Sequence, residues 1–486
     1  MSATTAVGSD WEMVVGLEVH VQLRTRTKAF CNCSTEFGAP PNVNTCPVCL
    51  ALPGALPVLN AHAVELATRA ALALGCHVNL VSVFARKNYF YPDLPKGYQI
   101  SQFDKPLAEH GHLTIGHRAD GALIRVGIER VHMEEDAGKS LHDRYPAASA
   151  IDLNRAGVPL IEIVSGPDMR TTEAAGGYLR ALKQILIYCG ISDCDMEKGS
   201  LRVDANVSAR KMGEIKLGTK TEVKNLNSFS NVEKALALEF ARQVEVLESG
   251  GTVQQQTMLF DGARGEVRPS RTKEGSHDYR YFPEPDLPPL VLAQDFVDRM
   301  LKSVPELPDA RRKRFTDEYA LGDYDIEVLT SSPELADYFE GVARQSEDPK
   351  AAANWTVNNV LAALNASGES IDAFRVRPAD LASLIKLLRD GVIAHSAARQ
   401  IFAEMVKTGD RPEQVAKRDG LIQVGDDGAL VAWIDEVFTE HPVEAQRYLA
   451  GEKKLQGVLV GFVMKKSKGS ADAKKVNQLL AARVPG

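Results

Sequence analysis

The sequence predicts an α+β protein with a β-rich N-terminal domain on an antiparallel sheet, followed by a helical domain and a small helical tail domain. Three observations lead to this prediction. The 486 residues exceed what one hydrophobic core normally organises. Up to about Pro289 the sequence is rich in Gly, in Pro and in alternating strands, which predicts sheets with long loops, and helical spacing of apolar residues follows. The predicted domains span residues 1–293, 294–408 and 409–486.

The first strand is predicted near the N-terminus, where every second residue from Leu17 onward is apolar. Its intervening residues are Glu18, His20 and Gln22. Residues 201–210 repeat the alternation, and their polar positions are Arg202, Asp204, Asn206, Ser208 and Arg210. Because side chains alternate between the two faces of a strand, each strand has one apolar and one polar face. Short hydrogen-bonding side chains on one face favour a polar site, and a merely solvated sheet face is the alternative.

Four cysteines between these strands have the spacing of a zinc site. They form two close couples, Cys31 with Cys33 and Cys46 with Cys49. The glycine and prolines between the couples suit a loop. Because four thiolates would fill all positions of a tetrahedron, the predicted zinc is structural and has no place for catalytic water. Four free thiols in a reducing cell are the alternative.

An acidic segment follows at residues 132–140. Its end resembles a phosphate-binding P-loop, but Met133 stands where that motif needs glycine, so a Walker A site is excluded. Its three adjacent carboxylates are those of Glu134, Glu135 and Asp136. Adjacent carboxylates repel one another unless a cation neutralises them, and magnesium is bound by carboxylates, water and phosphate oxygens. Together with Glu18 and His20 they indicate a metal site, with a solvated acidic turn as the alternative.

The pattern becomes helical after residues 281–289, which are too rich in proline for a helix or a central strand. A first helix is predicted at 378–390, ended by Gly391. Its apolar stripe consists of Leu381, Leu384, Ile385 and Leu388. A second helix begins at Ser396, with Ile401, Phe402, Met405 and Val406 facing inward. We interpret both stripes as core. A break at residues 408–412 precedes the last helical unit.

Charge is distributed unevenly along the chain. The formal net charge is -7, yet residues 451–486 carry eight basic residues against two acidic ones. A basic terminus on an acidic body indicates a polyanion-binding arm, and a solvated lysine-rich surface is the alternative. The sequence predicts neither a signal peptide nor a membrane span. Its seven cysteines therefore suit the reducing cytoplasm.

Long ordered strings in this chain closely resemble the GatB family, which provides the B subunits of the glutamyl/aspartyl-tRNA amidotransferases. The strings are residues 16–20, the Cys31/Cys33/Cys46/Cys49 set, and residues 86–102, 132–140, 152–162, 201–210, 222–229 and 278–287. The resemblance runs through nearly the whole chain. Residues 254–257 and Gly166 depart from the family pattern. Both of these segments are left out of the predicted site.

The resemblance implies an ATP-dependent and magnesium-dependent reaction on a mischarged tRNA. In that family the B subunit phosphorylates the side-chain carboxylate of Glu-tRNA(Gln) or Asp-tRNA(Asn). The A subunit, an amidase, supplies the ammonia that displaces the phosphate and gives Gln-tRNA(Gln) or Asn-tRNA(Asn). A third and small protein, the C subunit, joins the two. The resemblance also implies a β-rich cradle for the first domain and a tail similar to the YqeY proteins.

The resemblance and the chemistry of this reaction together predict roles for individual residues. Magnesium ligands are predicted at Glu18, His20 and Glu135, with Glu134 and Glu162 beside them. Contacts to phosphate or carboxylate groups are predicted for Lys87, Lys139, Arg155, Arg202 and Lys224. Orienting groups are predicted at Asp204, Asn206 and Ser208. Contacts to tRNA are predicted, from the charge of the basic terminus and not from the resemblance, for Lys465, Lys466, Lys468, Lys474 and Lys475. A tRNA-binding scaffold without catalysis and a ligase acting alone are the rival hypotheses; a scaffold has no reason to gather Glu18, His20 and Glu134.

Overall fold

The computed structural model describes residues 10–117, 123–145, 148–270, 279–423, 426–467 and 469–484. The chain forms two compact units, Met1–Pro308 and Asp309–Gly486. The first unit contains all the strands of the described residues, together with four helices, and the second is helical. The predicted α+β class is therefore confirmed.

Sixteen strands occur in the described residues of the first unit. They are β1 (Trp11–Gln22), β2 (His77–Val78), β3 (Val81–Ser82), β4 (Phe84–Asn88), β5 (Tyr98–Gln102), β6 (Ala108–His117), β7 (Leu123–Glu135), β8 (Lys139–Tyr145), β9 (Ala148–Asp152), β10 (Pro159–Ser165), β11 (Leu201–Lys211), β12 (Thr221–Lys224), β13 (Thr257–Asp261), β14 (Glu266–Pro269), β15 (Phe282–Pro283) and β16 (Leu290–Val291). Its helices are α1 (Ala61–Ala73), α2 (Thr172–Tyr188), α3 (Phe229–Glu248) and α4 (Gln294–Lys302).

The second unit is built from short helices. They are α5 (Pro308–Tyr319), α6 (Asp323–Leu329), α7 (Pro333–Ser346), α8 (Pro349–Trp355), α9 (Leu361–Ser367), α10 (Pro378–Arg389), α11 (His395–Thr408), α12 (Pro412–Arg418), α13 (Asp427–Glu440), α14 (Pro442–Leu449), α15 (Gln456–Lys466) and α16 (Ala473–Ala481). A π-helical turn, Thr356–Val360, joins α8 to α9. None of the described helices is long and apolar enough to span a lipid bilayer.

Nine strands form one sheet in the order β14-β13-β12-β11-β1-β10-β7-β6-β2. The first strand of the chain therefore lies at the centre, paired with β10 and β11. Every pair in this sheet is antiparallel except β12 with β13, which is parallel and which the sequence did not predict. The antiparallel register aligns His20 with Glu162 of β10 and Arg202 of β11, and Glu162 with His132 of β7.

The alternation of apolar and polar residues in β1 and β11 gives the sheet one apolar face and one polar face. On one face Leu17, Val19 and Val203 are buried in a single hydrophobic cluster with residues of α2 and α3. Covering that face removes apolar surface from water, which stabilises the fold by roughly 25 cal/mol for each Å² buried. Thr171 and Ser228 begin the two covering helices, because each side chain accepts a hydrogen bond from a backbone N–H of the first turn. The polar residues of β1 and β11 consequently share the opposite face.

The second unit contains two hydrophobic clusters. The predicted first helix is α10, with Leu381, Leu384 and Ile385 buried in one of them, while Leu388 is only partly buried. The predicted second helix is α11, which begins one residue before Ser396. The two helices are followed by Gly391 and Gly409, both at positive φ, where residues with a Cβ are strained.

The positions of two short helices bear on the predicted domain boundaries. Helix α4 contributes Val297 to the core of the first unit. Helix α12 contributes Val415 and Ala416 to the same cluster as α10 and α11. The three-domain division at residues 293 and 408 stays a prediction.

Candidate active site

His20 lies at the centre of the polar face, and carboxylates from three neighbouring strands surround its ring. Its Nδ1 is 2.9 Å from Glu134 Oε1 and 3.8 Å from Glu162 Oε2. Its Nε2 is 4.0 Å from Asp204 Oδ2. Because strands β7, β10, β1 and β11 are adjacent in the sheet, residues far apart in sequence meet here.

The electrostatics of this cluster are those of an ion pair held out of water. Burial alone would lower the pKa of His20, but the hydrogen bond and charge of Glu134, with Glu162 and Asp204, raise it to about 9. Burial would likewise raise the pKa of Glu134, and the bond to His20 outweighs it and lowers that pKa. The cluster therefore concentrates negative charge around one imidazolium.

One oxygen of Glu134 supports a metal site. Glu134 is 3% exposed, and its Oε2 has no hydrogen-bond partner among the described residues. Burying a carboxylate oxygen without a partner costs free energy unless a cation binds it. Ligand atoms of His20, Glu134 and Glu162 lie within 4.8 Å of one another. Two carboxylates suit a divalent cation such as magnesium, and His20 joins them as a ligand when the cation displaces the proton of its ring.

His132 is a second imidazole of the cluster, and the sequence did not single it out. Its Nε2 is 3.5 Å from Glu162 Oε2 and 4.0 Å from Glu134 Oε2. Burial lowers the pKa of His132, which favours the neutral ring. Arg130 Nε donates to His132 Nδ1 at 3.4 Å, and this leaves the ring proton on Nε2, facing Glu162. His132 therefore orients Glu162.

Strands β1, β11 and β12 carry another set of polar and charged side chains on the same face. Asn206 donates to Glu18 Oε1 at 3.0 Å, and burial together with Glu162 raises the pKa of Glu18. Lys224 Nζ lies 2.6 Å from Asp204 and 2.9 Å from Glu222. A cavity of about 240 Å³ opens beside Glu18. Asn206 and the buried Ser208 line the same cavity.

Asp136 organises the cationic side of the site. Its Oδ2 accepts hydrogen bonds of 2.9 Å from both Arg202 Nη1 and Gln22 Nε2. Arg155 Nε lies 3.7 Å from the same oxygen, and its guanidinium donates to the carbonyl oxygens of Ala137 and Gly138. These hydrogen bonds and this ion pair thus hold Arg202 and Arg155 beside the carboxylate of Asp136.

Two predicted residues lie apart from the His20 cluster. Glu135 follows Glu134 on β7, so its side chain points to the other face, where it pairs with Lys96 and accepts from Ile100 N at 3.0 Å. Lys139 begins β8 and is exposed on the small β8-β9 sheet. Among the described residues, neither contacts His20.

Lys87 approaches the cluster from β4. Its Nζ lies 4.8 Å from the centre of the Tyr279 ring. Burial alone would lower the pKa of Lys87, but the nearby Glu134, Glu162 and tyrosine hydroxyls raise it. Lys87 is thus a half-buried cation held close to the carboxylates.

The four predicted zinc ligands converge in the loop after β1. The sulfur atoms of Cys31, Cys33, Cys46 and Cys49 lie within 4.8 Å of one another. Cys49 Sγ is 4.0 Å from the sulfur of Cys33 and 3.9 Å from that of Cys46. Zn–S bonds of about 2.3 Å in a tetrahedron place sulfurs about 3.8 Å apart, so the set fits zinc. The fully buried Lys28 donates to Cys49 Sγ at 3.6 Å, and its charge offsets that of the thiolates.

The predicted tRNA-binding lysines differ in their surroundings. Lys466 is paired with Glu436 at 2.7 Å and Glu440 at 2.6 Å, and Lys475 lies 3.6 Å from Asp427. Lys465 and Lys474 are exposed. Lys468 lies outside the described residues.

Comparison with known proteins bears on the family. One family model, the GatB/GatE catalytic domain, matches residues 13–298, and a second, the GatB domain, matches residues 337–484. The B subunit of the aspartyl/glutamyl-tRNA(Asn/Gln) amidotransferase of Carboxydothermus hydrogenoformans is 52% identical over 97% of this chain and 98% of its own length. Its counterpart in Geotalea uraniireducens, which has the same name, is 52% identical over 98% of this chain and 100% of its own length. The chain belongs to this family.

Membership confirms the resemblance that the sequence motifs predicted, and it makes the chain one component of an amidotransferase. Within this GatB-family chain, sequence reasoning missed His132, Lys28 and Lys96. Glu222 was missed as well, although the alternation in β12 puts Glu222 and Lys224 on one face. Lys28 and Lys96 had no such signal, because nothing in their local sequence indicates burial.

Proposed function

We propose that this chain uses ATP to phosphorylate the side-chain carboxylate of Glu-tRNA(Gln), Asp-tRNA(Asn) or both, and then amidates it with ammonia from a glutaminase partner. The partners are the amidase, or A subunit, together with the small C subunit, in a heterotrimer that acts in the cytoplasm, where tRNAs are charged. The single observation that carries the proposal is the buried cluster of His20, Glu134 and Glu162 with its unpaired oxygen. A scaffold that only binds tRNA would gain nothing from burying these charges.

The chemistry explains the need for such a cluster. Ammonia cannot readily displace an oxide from a carboxylate, and conversion to an acyl phosphate removes that obstacle. Phosphoryl transfer requires positioning and neutralisation of charge. His20, Glu134 and Glu162 would hold magnesium, which supplies positive charge to phosphate oxygens when it is bound. The residue set differs from the sequence prediction, since Glu135 is engaged by Lys96.

The remaining residues of the face would bind and orient the substrates. Lys87, Arg202 and Lys224 supply positive charge on three sides of the carboxylates. Arg155 holds the turn before Lys139 through two backbone carbonyls. Asn206 orients Glu18, and Asp204 orients Lys224. Ser208 lines the cavity beside Glu18, where its hydroxyl can contact a small polar ligand.

Two further proposals concern zinc and tRNA. The Cys31, Cys33, Cys46 and Cys49 set would hold one structural zinc, supported by its sulfur spacing. The tail would attract tRNA phosphates, with Lys465 and Lys474 contributing more than the ion-paired Lys466 and Lys475, and with Lys468 included. An ion pair must be broken before its lysine can neutralise a phosphate.

The proposal is tested with the reconstituted complex. ATP hydrolysis should be stimulated by Glu-tRNA(Gln) or Asp-tRNA(Asn) and should yield the amidated tRNA. Glu134→Gln and Glu162→Gln should each lower the amidation rate by about 100-fold or more, while glutaminase activity persists at its basal level. Glu214→Gln, at an exposed residue of the loop after β11, is the matched control. Near-normal amidation by both site variants would refute the assignment.

A further inference from the structure

A row of aromatic rings lies beside the candidate active site. The aromatic ledge, as we call it, consists of Tyr91, Tyr89, Tyr279, Tyr281 and Phe103. Ring centres are 5.8 Å apart from Tyr91 to Tyr89, 6.0 Å from Tyr89 to Tyr279 and 6.1 Å from Tyr279 to Tyr281. Phe103 stacks parallel on Tyr281 with centres 4.2 Å apart. The two ends of the row are open to solvent, since Tyr91 is 62% and Phe103 is 45% exposed.

Direct contacts connect the ledge to the site. Lys87, which faces the carboxylate cluster, has its ammonium 4.8 Å from the ring centre of Tyr279. The hydroxyl of Tyr89 donates to Gln99 at 3.1 Å, and Gln99 Nε2 donates to the backbone oxygen of Glu135 at 2.6 Å. Burial and the nearby charges of Glu162 and Glu134 raise the pKa of Tyr281, so this ring lies within electrostatic reach of the cluster. A molecule resting on the ledge at Lys87 and Tyr281 is therefore close to the cluster.

The composition of the ledge indicates the chemistry of its ligand. Tyrosine and phenylalanine rings beside cations are the surface on which unpaired nucleobases stack. Lys87 lies at the ledge, and the exposed Arg280 lies between Tyr279 and Tyr281 in sequence. Arg86 is less available, because Glu284 binds its guanidinium through two hydrogen bonds of 2.8 and 2.7 Å. The cation at the ledge, Lys87, suits a polyanion.

We propose that the aromatic ledge stacks the unpaired terminal bases of the aminoacyl-tRNA. The inference rests on the proposed function. The amino acid is an ester of the terminal ribose, so a side-chain carboxylate held at the His20 cluster brings that nucleotide to the ledge. ATP also carries a base, but it carries only one. The exposed rings at the two ends of the row, Tyr91 and Phe103, offer two separate stacking positions, which suits more than one base of a single strand.

The test uses Tyr91→Leu and Phe103→Leu in the reconstituted complex. Stacking contributes about 1–3 kcal/mol per base, so each change should raise the KM for Glu-tRNA(Gln) about tenfold. The kcat should stay within about twofold and the KM for ATP should not change. Tyr91→Trp, which keeps a stacking surface, should restore the tRNA KM. Phe37→Leu, an exposed aromatic in the cysteine loop outside the ledge, is the control and should leave both constants unchanged.

A second measurement separates the terminal bases from the rest of the tRNA. A tRNA that lacks its unpaired 3′ nucleotides should bind the variants and the unaltered complex equally well. The inference is overturned if the KM for ATP rises while that for tRNA does not, which would assign the ledge to adenine. It is also overturned if neither constant changes. If the unaltered complex does not amidate mischarged tRNA at all, the proposed function fails instead.

Discussion

Single side chains of the candidate site divide into those that are accessible on the polar face and those that hold the strands in place. Glu18 belongs to the first kind, because it is only half-buried and, among the described residues, accepts a side-chain hydrogen bond from Asn206 alone. Glu135 belongs to the second kind, because it is 2% exposed and is enclosed by Lys96 and the N–H of Ile100. Substitutions at the two glutamates should therefore have different effects.

Glu18→Gln should impair catalysis without affecting the fold. The amide keeps the shape of the side chain and removes its charge from the polar face. We expect the amidation rate to fall by about 100-fold, whereas the melting temperature stays within about 1 °C of the unaltered protein. Steady-state amidation and calorimetry of the same preparation measure both. Unchanged amidation would mean that Glu18 takes no part in the reaction.

Lys96→Met should destabilise the first unit. The substitution leaves the buried Glu135 without its cation, and an unpaired buried charge costs about 3–5 kcal/mol. Urea unfolding monitored through the first unit should detect the loss. Lys105→Met, at an exposed lysine of the same region, should change stability by less than about 0.5 kcal/mol. Equal stability of the two variants would contradict the structural role of Lys96.

The two kinds of residue also differ in how well the sequence predicts them. Glu18, His20 and Asp204 could be predicted because alternation assigns them to one face of a strand. Asp136 and Lys96 have partners that the fold brings in from other elements. Such pairings leave no periodic signal in a single sequence.

Among the larger elements, the cysteine loop is tied to the segment that precedes β10. Asn42 Nδ2 donates to the carbonyl of Ile151 at 3.0 Å, and Leu153 N donates to Asn42 Oδ1 at 2.7 Å. Asn154 accepts from Asn44 N at 2.9 Å. Since Arg155 follows directly, the loop supports an arginine of the site.

Zinc content should depend on the four-cysteine set alone. We expect about one zinc per chain in protein purified without chelator, and its loss in Cys49→Ser. Cys189→Ala, at a buried cysteine outside the loop, should keep the metal. Elemental analysis measures both, and zinc in the Cys49 variant equal to that of the unaltered chain would refute the site.

A buried ion cluster connects α5 with α7 in the second unit. Glu340 accepts hydrogen bonds from Arg311, Arg314 and Arg344. Although burial alone would raise the pKa of Glu340, these arginines lower it to about 2. A carboxylate with a depressed pKa stabilises the fold above its ordinary value of 4.5, and this contribution is lost as the pH falls through about 2.

Glu340→Gln should therefore lower the melting temperature of this unit at neutral pH by about 5 °C and weaken its pH dependence between pH 4.5 and 2. Glu369→Gln, at an exposed residue, should leave the profile unchanged. Calorimetry across this range measures both effects. An acid profile that is identical in the Glu340 variant would show that another group is responsible.

For the molecule as a whole, the basic tail is expected to guide tRNA without taking part in the chemistry. Because α12 packs with α10 and α11, the truncation that tests this should be made after Gln423. The truncated complex should have a higher KM for mischarged tRNA and a weaker dependence of that KM on salt. Glutaminase activity without tRNA should not change. Equally tight tRNA binding at two ionic strengths would contradict the prediction.

The sequence predicted the order of strand-rich and helical regions along the chain better than it predicted the order of strands in the sheet. The switch from alternation to helical spacing near Pro289 is visible in the sequence, and the structure has the corresponding change from sheet to helices. The order of strands in the sheet is not visible in the sequence, because strands that pair with one another are far apart along the chain. The parallel β12-β13 pair, with α3 between its strands, is an example.

The central place of β1 has a consequence for the biosynthesis of the protein. This strand is made first, but its neighbours are β10, paired through Glu18 and Val164, and β11, paired through Glu18 and Asp204. Until the ribosome has released β10, β1 has two open edges and an uncovered apolar face, and one edge stays open until β11 is released. Contacts between such distant residues form slowly, and the exposed strand is prone to aggregation in the meantime. The cluster of His20, Glu134 and Glu162 is therefore created only when β10 pairs with both β1 and β7, and a nascent chain that ends before β10 has no partial form of it.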